Sequence, residues 1–221
     1  MQLTYTPSGR TTELPDQARK LAEEFHTSMM DASELLALAG VLSLYPWNGQ
    51  AIVVEIGAYT GQTTVFMAKI LQLLGKSASI LSIDPFERAA SDSINPRGNY
   101  SAYIKNILKH KTEQTCLPLV AFSEHAASVI PDKIGVLLVD GSHRYPDVAK
   151  DLSLYVPKLL PGGLLFVDDY VPAYPGVMRA VDEYCQSNST LYVFNKTYFV
   201  AAQKTPSLPY QRAIYLTSLI Q

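Results

Sequence analysis

Acidic side chains stand where apolar runs stop. Glu55 follows Ile52-Val53-Val54, and Asp84 follows Ile80-Leu81-Ser82-Ile83. Asp140 follows Val136-Leu137-Leu138-Val139, and Asp168-Asp169 follow Leu164-Leu165-Phe166-Val167. Carboxylates gathered on one rim cannot all stay charged without compensation, and a divalent cation supplies it. Oxygen ligands, with no Cys or paired His nearby, favour Mg²⁺, Ca²⁺ or Mn²⁺ over zinc. Asp140, Asp168 and Asp169 are therefore candidate metal ligands. The plain alternative for Asp168-Asp169 is a turn cap. His143, three residues after Asp140, is the candidate general base, because histidine is the residue type suited to proton transfer near neutral pH.

A second feature is the stretch Glu55-Ile56-Gly57-Ala58-Tyr59-Thr60-Gly61. Glycine allows a tight turn and lets backbone approach a ligand closely. The spacing departs from GxGxxG, and Tyr59 intrudes, which speaks against a bare pyrophosphate cradle and so against a dinucleotide-dependent oxidoreductase. Asp84, ending the next apolar run, is placed to accept hydrogen bonds from a ribose. A negative pocket suits a ligand with a cationic centre.

These residues need a scaffold that brings them to one edge. Short apolar runs alternate with amphipathic stretches from residue 51 onward, the pattern of parallel strands buried on both faces and covered by helices. Helices are predicted over 63–74, 100–110, 124–130, 146–159 and 176–186. The runs 190–194 and 198–201 have hairpin spacing. Before residue 51 the chain reads helical: Pro15 opens one helix, and Asp31 with Glu34 forms a capping box ahead of Leu35-Leu36-Ala37-Leu38-Ala39. The expected fold is α/β: a doubly wound, Rossmann-like sheet, mostly parallel, with an antiparallel C-terminal hairpin and N-terminal helices. Its parts are a helical extension (1–50), a cofactor-binding domain (51–202) and a tail (203–221). In such sheets ligands bind at the carboxyl ends of the strands, where the strand order reverses.

The segment Val54-Glu55-Ile56-Gly57-Ala58-Tyr59-Thr60-Gly61-Gln62-Thr63-Thr64 resembles the first motif of class I S-adenosylmethionine (SAM)-dependent methyltransferases, especially small O-methyltransferases related to catechol O-methyltransferase. Ser82-Ile83-Asp84, Asp140-Gly141-Ser142-His143 with Tyr145, Leu160-Pro161-Gly162-Gly163 and Asp168-Asp169-Tyr170 are similar to the macrocin- and mycinamicin-type sugar O-methyltransferases. The resemblance spans roughly residues 50–185. It implies that Glu55, Gly57, Gly61 and Thr63 line the methionine part of SAM, that Asp84 holds the ribose, and that Phe122 and Ser123 flank the adenine. Ser123 has the alternative role of helix cap. Asp140 would touch SAM, ligate Mg²⁺ and compete with His143 as the base. The acceptor implied is a small-molecule hydroxyl of sugar or natural-product type, or in the second place a catechol-like phenol.

Composition agrees with this and excludes other classes. The 221 residues suffice for one ordinary domain, and 48% are hydrophobic, enough for a core. The net charge of −2 argues against a nucleic-acid partner. Cys116 and Cys185 form no disulfide framework, which fits a cytoplasmic setting. No apolar stretch approaches the about 20 residues of a membrane span. His26, His110 and His125 read as surface or packing residues. Tyr59, Tyr145, Tyr170 and Tyr174 fall near the expected rim, and residues 84–99 read as a lid over the cofactor. The two ends of the chain are expected to shape the acceptor pocket or a contact between copies in a homo-oligomer.

Overall fold

Neighbouring residues on each central strand feed opposite sides of one sheet. Val53, Val136, Leu138, Leu164 and Phe166 enter one apolar cluster, and Val54, Leu137, Val139, Leu165 and Val167 enter another. That is the side-chain period of two, with both faces covered. Each fully buried Leu, Val or Phe contributes roughly 1.5–3 kcal/mol, so burial on both faces dominates the stability.

The computed structural model describes residues 2–5, 10–27, 29–47, 49–86, 98–188, 191–196 and 200–204. The elements are β1 (Gln2–Tyr5), β2 (Arg10–Glu13), α1 (Asp16–Phe25), α2 (Ala32–Leu44), β3 (Ile52–Ile56), α3 (Gln62–Leu73), β4 (Ile80–Asp84), α4 (Gly98–Lys109), β5 (Cys116–Val120), α5 (Ser123–Ala126), β6 (Ile134–Val139), α6 (Tyr145–Tyr155), β7 (Leu159–Val167), α7 (Pro175–Ser187), β8 (Leu191–Lys196) and β9 (Val200–Lys204). The seven-stranded sheet has the order β5-β4-β3-β6-β7-β9-β8. Strands β3 to β7 run parallel, and the β8–β9 hairpin adds antiparallel beside β7. The doubly wound α/β fold with its terminal hairpin is as expected. Residues of α1 to α4 pack on one face, and residues of α5 to α7 pack on the other.

The N-terminal region holds the two expected helices and one element that was not anticipated, the antiparallel pair β1–β2. Pro15 occupies the N-cap of α1, just ahead of its first turn. Helix α2 is buried at every position from Leu35 to Leu42, so it reads as apolar all round rather than as a stripe. Its start is set by the capping box. Asp31 Oδ1 accepts from Ser33 N–H at 2.7 Å and Glu34 N–H at 2.9 Å, while Glu34 Oε2 accepts from Asp31 N–H at 2.7 Å. The helix expected over 124–130 stops at Ala126. Residues 87–97 of the expected lid, and 205–221 of the tail, lie outside the described residues. No helix among the described residues is long and apolar enough to cross a membrane.

The strand order reverses at β3. Its carboxyl end lies beside that of β6, and Asp140 N–H donates to Ile56 C=O at 2.9 Å. Asp84, Asp140, Asp168 and Asp169 stand on or just beyond this edge, and Glu55 lies inside β3.

Candidate active site

The glycine loop begins where β3 ends. Gly57 has φ +89°, and a Cβ there would lie 2.0 Å from the Asp140 carbonyl oxygen. Only glycine lets the ends of β3 and β6 come this close. Gly61, with φ +79°, starts α3, and a Cβ there would lie 2.7 Å from the Tyr103 ring. Tyr59 is left-handed at φ +46°, a conformation that costs energy in a residue with a side chain. Asp84 holds it there. Ala58 and Tyr59 N–H donate to Asp84 Oδ2 at 2.9 and 2.8 Å, and Phe86 N–H donates to Oδ1 at 2.5 Å. Asn106 Nδ2 donates to Thr60 C=O at 2.8 Å from the other side. Asp84 therefore shapes the loop directly; its Oδ2 is filled by two donors, while Oδ1, with one, keeps acceptor capacity toward a ligand. Thr63 lies in the first turn of α3, whose leading N–H groups have no intrahelical acceptor, an arrangement that favours an anionic group such as a carboxylate.

Glu55 is wholly buried beneath the loop rather than on the open rim. Its Oε2 accepts from Thr64 Oγ1 at 2.5 Å and Ser82 Oγ at 2.6 Å, and Oε1 has no partner among the described residues. Burial lifts its carboxyl to about 7, against the two hydroxyl hydrogen bonds, which lower it. A pKa raised on folding means that the folded state binds the proton more tightly. The stability this gives is complete below about 4.5 and is lost as pH rises through about 7. Glu55→Gln carries no such proton, so its Tm is expected to change less than the wild type's between pH 5 and pH 8. Parallel melting curves against pH for the two proteins would contradict this assignment.

The three aspartates meet as expected. Asp140 follows β6, Asp168 and Asp169 follow β7, and an oxygen from each lies within 4.8 Å of the others. Asp168 is 3% exposed, and among the described residues neither of its oxygens has a well-formed hydrogen bond, the neighbouring Asp169 N–H giving only a small lowering influence. It therefore caps no turn. Burial, then Glu34 and Asp169, push its carboxyl up to about 8. Burial raises Asp140 far above the carboxylate range, with Asp168 and Asp169 adding to it. Burial raises Asp169 too, while His143 pulls it down. Asp169 also sits at φ +59°. Buried, mutually repelling carboxylates with unused lone pairs fit a divalent cation bound by oxygen.

His143 Nε2 lies 2.8 Å from Asp169 Oδ2, and its ring stacks on Tyr174 with centroids 4.0 Å apart. The imidazole is thus held from two sides beside the acid cluster. Tyr145 and Tyr170 donate their hydroxyls to Glu183 and Asp182 of α7, at 2.5 and 2.8 Å, and so brace the rim. Glu34 escaped the sequence reading except as a helix cap. Its carboxylate is close enough to raise both Asp140 and Asp168, and Asp169 raises it in turn. The capping signal is local, whereas this proximity arises only when α2 packs over the sheet.

Phe122 occupies the N-cap of α5 and is 49% exposed. Ala121 N–H donates to Asp84 C=O at 3.2 Å, which ties this segment to the end of β4. Ser123 does not cap the helix. Its Oγ donates to Asp151 Oδ1 at 2.5 Å, directing the side chain toward α6. His125 is exposed beside Phe122, and His110 packs against Phe25.

A doubly wound sheet with a glycine loop at its switch point, an acid ending the next strand and an acidic cluster across the crevice defines a nucleoside-cofactor-binding α/β domain. Residues 54–170 match the family described as Methyltransferase domain, and the chain belongs to that family. Solved structures similar to it include the O-methyltransferase NovP, 18% identical, with a TM-score of 0.67, covering 85% of this chain and 88% of that one. The O-methyltransferase TomG from Streptomyces achromogenes, involved in tomaymycin synthesis and solved with SAM, is 15% identical, with a TM-score of 0.57, covering 88% of this chain and 92% of that one. An O-methyltransferase from Bacillus cereus, solved with SAH, is 12% identical, with a TM-score of 0.56, covering 88% of this chain and 83% of that one. These likenesses establish the fold. An uncharacterized protein of Acanthamoeba polyphaga mimivirus is 25% identical over 138 residues, which are 59% of this chain and 57% of that protein.

Proposed function

We propose that the protein is a SAM-dependent, Mg²⁺-dependent O-methyltransferase acting on a hydroxyl of a small molecule of sugar or polyketide type. The observation that carries the metal-dependent part is Asp168: 3% exposed, without a well-formed hydrogen bond to either oxygen among the described residues, and with an oxygen within 4.8 Å of one from Asp140 and one from Asp169. The family match and the loop from Gly57 to Gly61 support SAM as the cofactor.

SAM would be held by the glycine loop and the first turn of α3 at its methionine end, by Asp84 at the ribose and by Phe122 at the adenine, and it supplies an electrophilic methyl on a sulfonium. Asp140, Asp168 and Asp169 would hold the cation, which lowers the pKa of a hydroxyl bound to it. The remaining tasks fall to side chains. His143, fixed by Asp169 and Tyr174, is placed to take a proton at the cluster's edge. Asp140, made more basic by burial and by its acidic neighbours, is the rival for that step. Positioning of two bound reactants in one crevice supplies much of the acceleration.

The surroundings favour a small uncharged or cationic acceptor over a nucleic acid. Glu34 and Asp31 add negative charge to the three aspartates, which repels phosphates. Catechol enzymes usually carry Asn where Asp169 stands, which favours the sugar or polyketide acceptor over a simple catechol. An acceptor panel with methyl-labelled SAM tests this. Label is expected in glycoside or polyketide hydroxyls. Label in simple catechols alone would overturn the acceptor class, and binding of NADH without SAM would overturn the whole reading.

A further inference from the structure

We propose that Asp151, on α6, is a positioning residue for SAM binding, acting through Ser123 to set the wall that meets the adenine. The inference rests on the SAM-binding reading above. Asp151 is only 4% exposed on an otherwise amphipathic helix. A carboxylate turned inward needs a partner, and here the partner is the Ser123 hydroxyl at 2.5 Å. One turn further along α6, the Tyr155 hydroxyl donates to the Ser123 carbonyl at 2.6 Å. Residues four apart share a helix face, so α6 grips a single residue at both its side chain and its main chain.

That grip matters because the gripped segment cannot hold itself. Helix α5 is four residues long, far below the length at which a helix is stable alone. Phe122, just before Ser123, is half exposed, and Ala121 N–H is tied to the Asp84 carbonyl. Residues 121–123 are thus fixed to β4 on one side and to α6 on the other. Lys150 of α6 also pairs with Glu124 of α5 at the surface. Asp151, lifted by burial to about 6, is mostly charged at neutral pH, and a charged acceptor strengthens the bond from Ser123. Helix α6 begins two residues after His143, so one rigid element links the proposed adenine wall to the proposed catalytic segment.

The test is calorimetric binding of S-adenosylhomocysteine, with Tm measured alongside. Asp151→Ala is expected to weaken binding about tenfold, the scale of one lost hydrogen bond to a charged group. Asp151→Asn keeps an acceptor oxygen for Ser123 and is expected to stay within about threefold of wild type. Ser123→Ala breaks the same bond from the other end, and combining it with Asp151→Ala should add little. Unchanged affinity in folded Asp151→Ala overturns the inference. So does an equal loss in Asp151→Asn, which would point to charge rather than to the bond. Should Asp151→Ala not fold, unchanged affinity in Ser123→Ala overturns it as well. A wild-type protein that binds no S-adenosylhomocysteine removes the SAM reading itself, an outcome visible before any substitution.

Discussion

Asp168→Asn is expected to lower kcat/KM for methyl transfer by about a thousandfold, equivalent to roughly 4 kcal/mol of lost transition-state stabilisation. Asn fills nearly the same space and keeps one acceptor oxygen, but it removes a full negative charge from the centre of the cluster. The same substitution is expected to leave the fold intact. In the metal-free protein the Asp168 carboxyl is buried, without a well-formed hydrogen bond among the described residues, and pushed up to about 8 by burial and by neighbouring acids. Its raised pKa makes it a stabilising proton site below about 3.8, and that stability is lost as pH rises through about 8. An amide has no charge to bury. In EDTA, Asp168→Asn should therefore melt at or above the wild-type Tm, with the gain largest above about pH 8. Loss of activity with retained or raised stability is the signature of a functional acid. Activity within about tenfold of wild type would remove Asp168 from the chemistry.

Gly57→Ala is expected to cost stability rather than only ligand affinity. The left-handed backbone at φ +89° penalises any side chain by about 1–2 kcal/mol. The added methyl would also meet the Asp140 carbonyl oxygen at 2.0 Å, and a main-chain atom at the junction of two strands cannot swing aside. Together these predict a loss of about 3 kcal/mol or more and a Tm lower by roughly 6–12 °C for a domain of this size. Because the displaced carbonyl belongs to Asp140, SAH affinity and turnover should fall with it. Gly75→Ala is the control: its φ is +64°, none of the described residues lies within 4 Å of the added carbon, and only the backbone penalty applies. A Gly57→Ala protein that melts within about 2 °C of wild type would contradict the close approach of β3 and β6.

Local signals made the sheet legible. Strands buried on both faces appear as unbroken apolar runs, and the acids after Val139 and Val167 stand out because such runs end at the ligand edge. The Asp31–Glu34 capping box was readable for the same reason, since both partners lie within one turn. What escaped depends on residues distant in sequence. The β1–β2 pair has strands of only four residues, too short for alternation to declare itself against the helices that follow. Glu55 reads as a rim acid because it stands one residue before the end of β3, yet the pleat points it inward to Thr64 and Ser82. Ser123 reads as a cap by its place before Glu124, and nothing nearby reveals that Asp151, on another helix, takes its hydroxyl. Glu34 joins the acid cluster only through the packing of α2 across the sheet.

Methyl transfer is proposed to need a divalent cation bound by the acid cluster. The most direct test of that need is turnover of methyl-labelled SAM, with an acceptor found by the panel, in metal-stripped protein to which Mg²⁺ is then returned. Loss of turnover in EDTA and full recovery on adding Mg²⁺, with no recovery in Asp168→Asn, is the predicted result. Undiminished turnover in EDTA would contradict it.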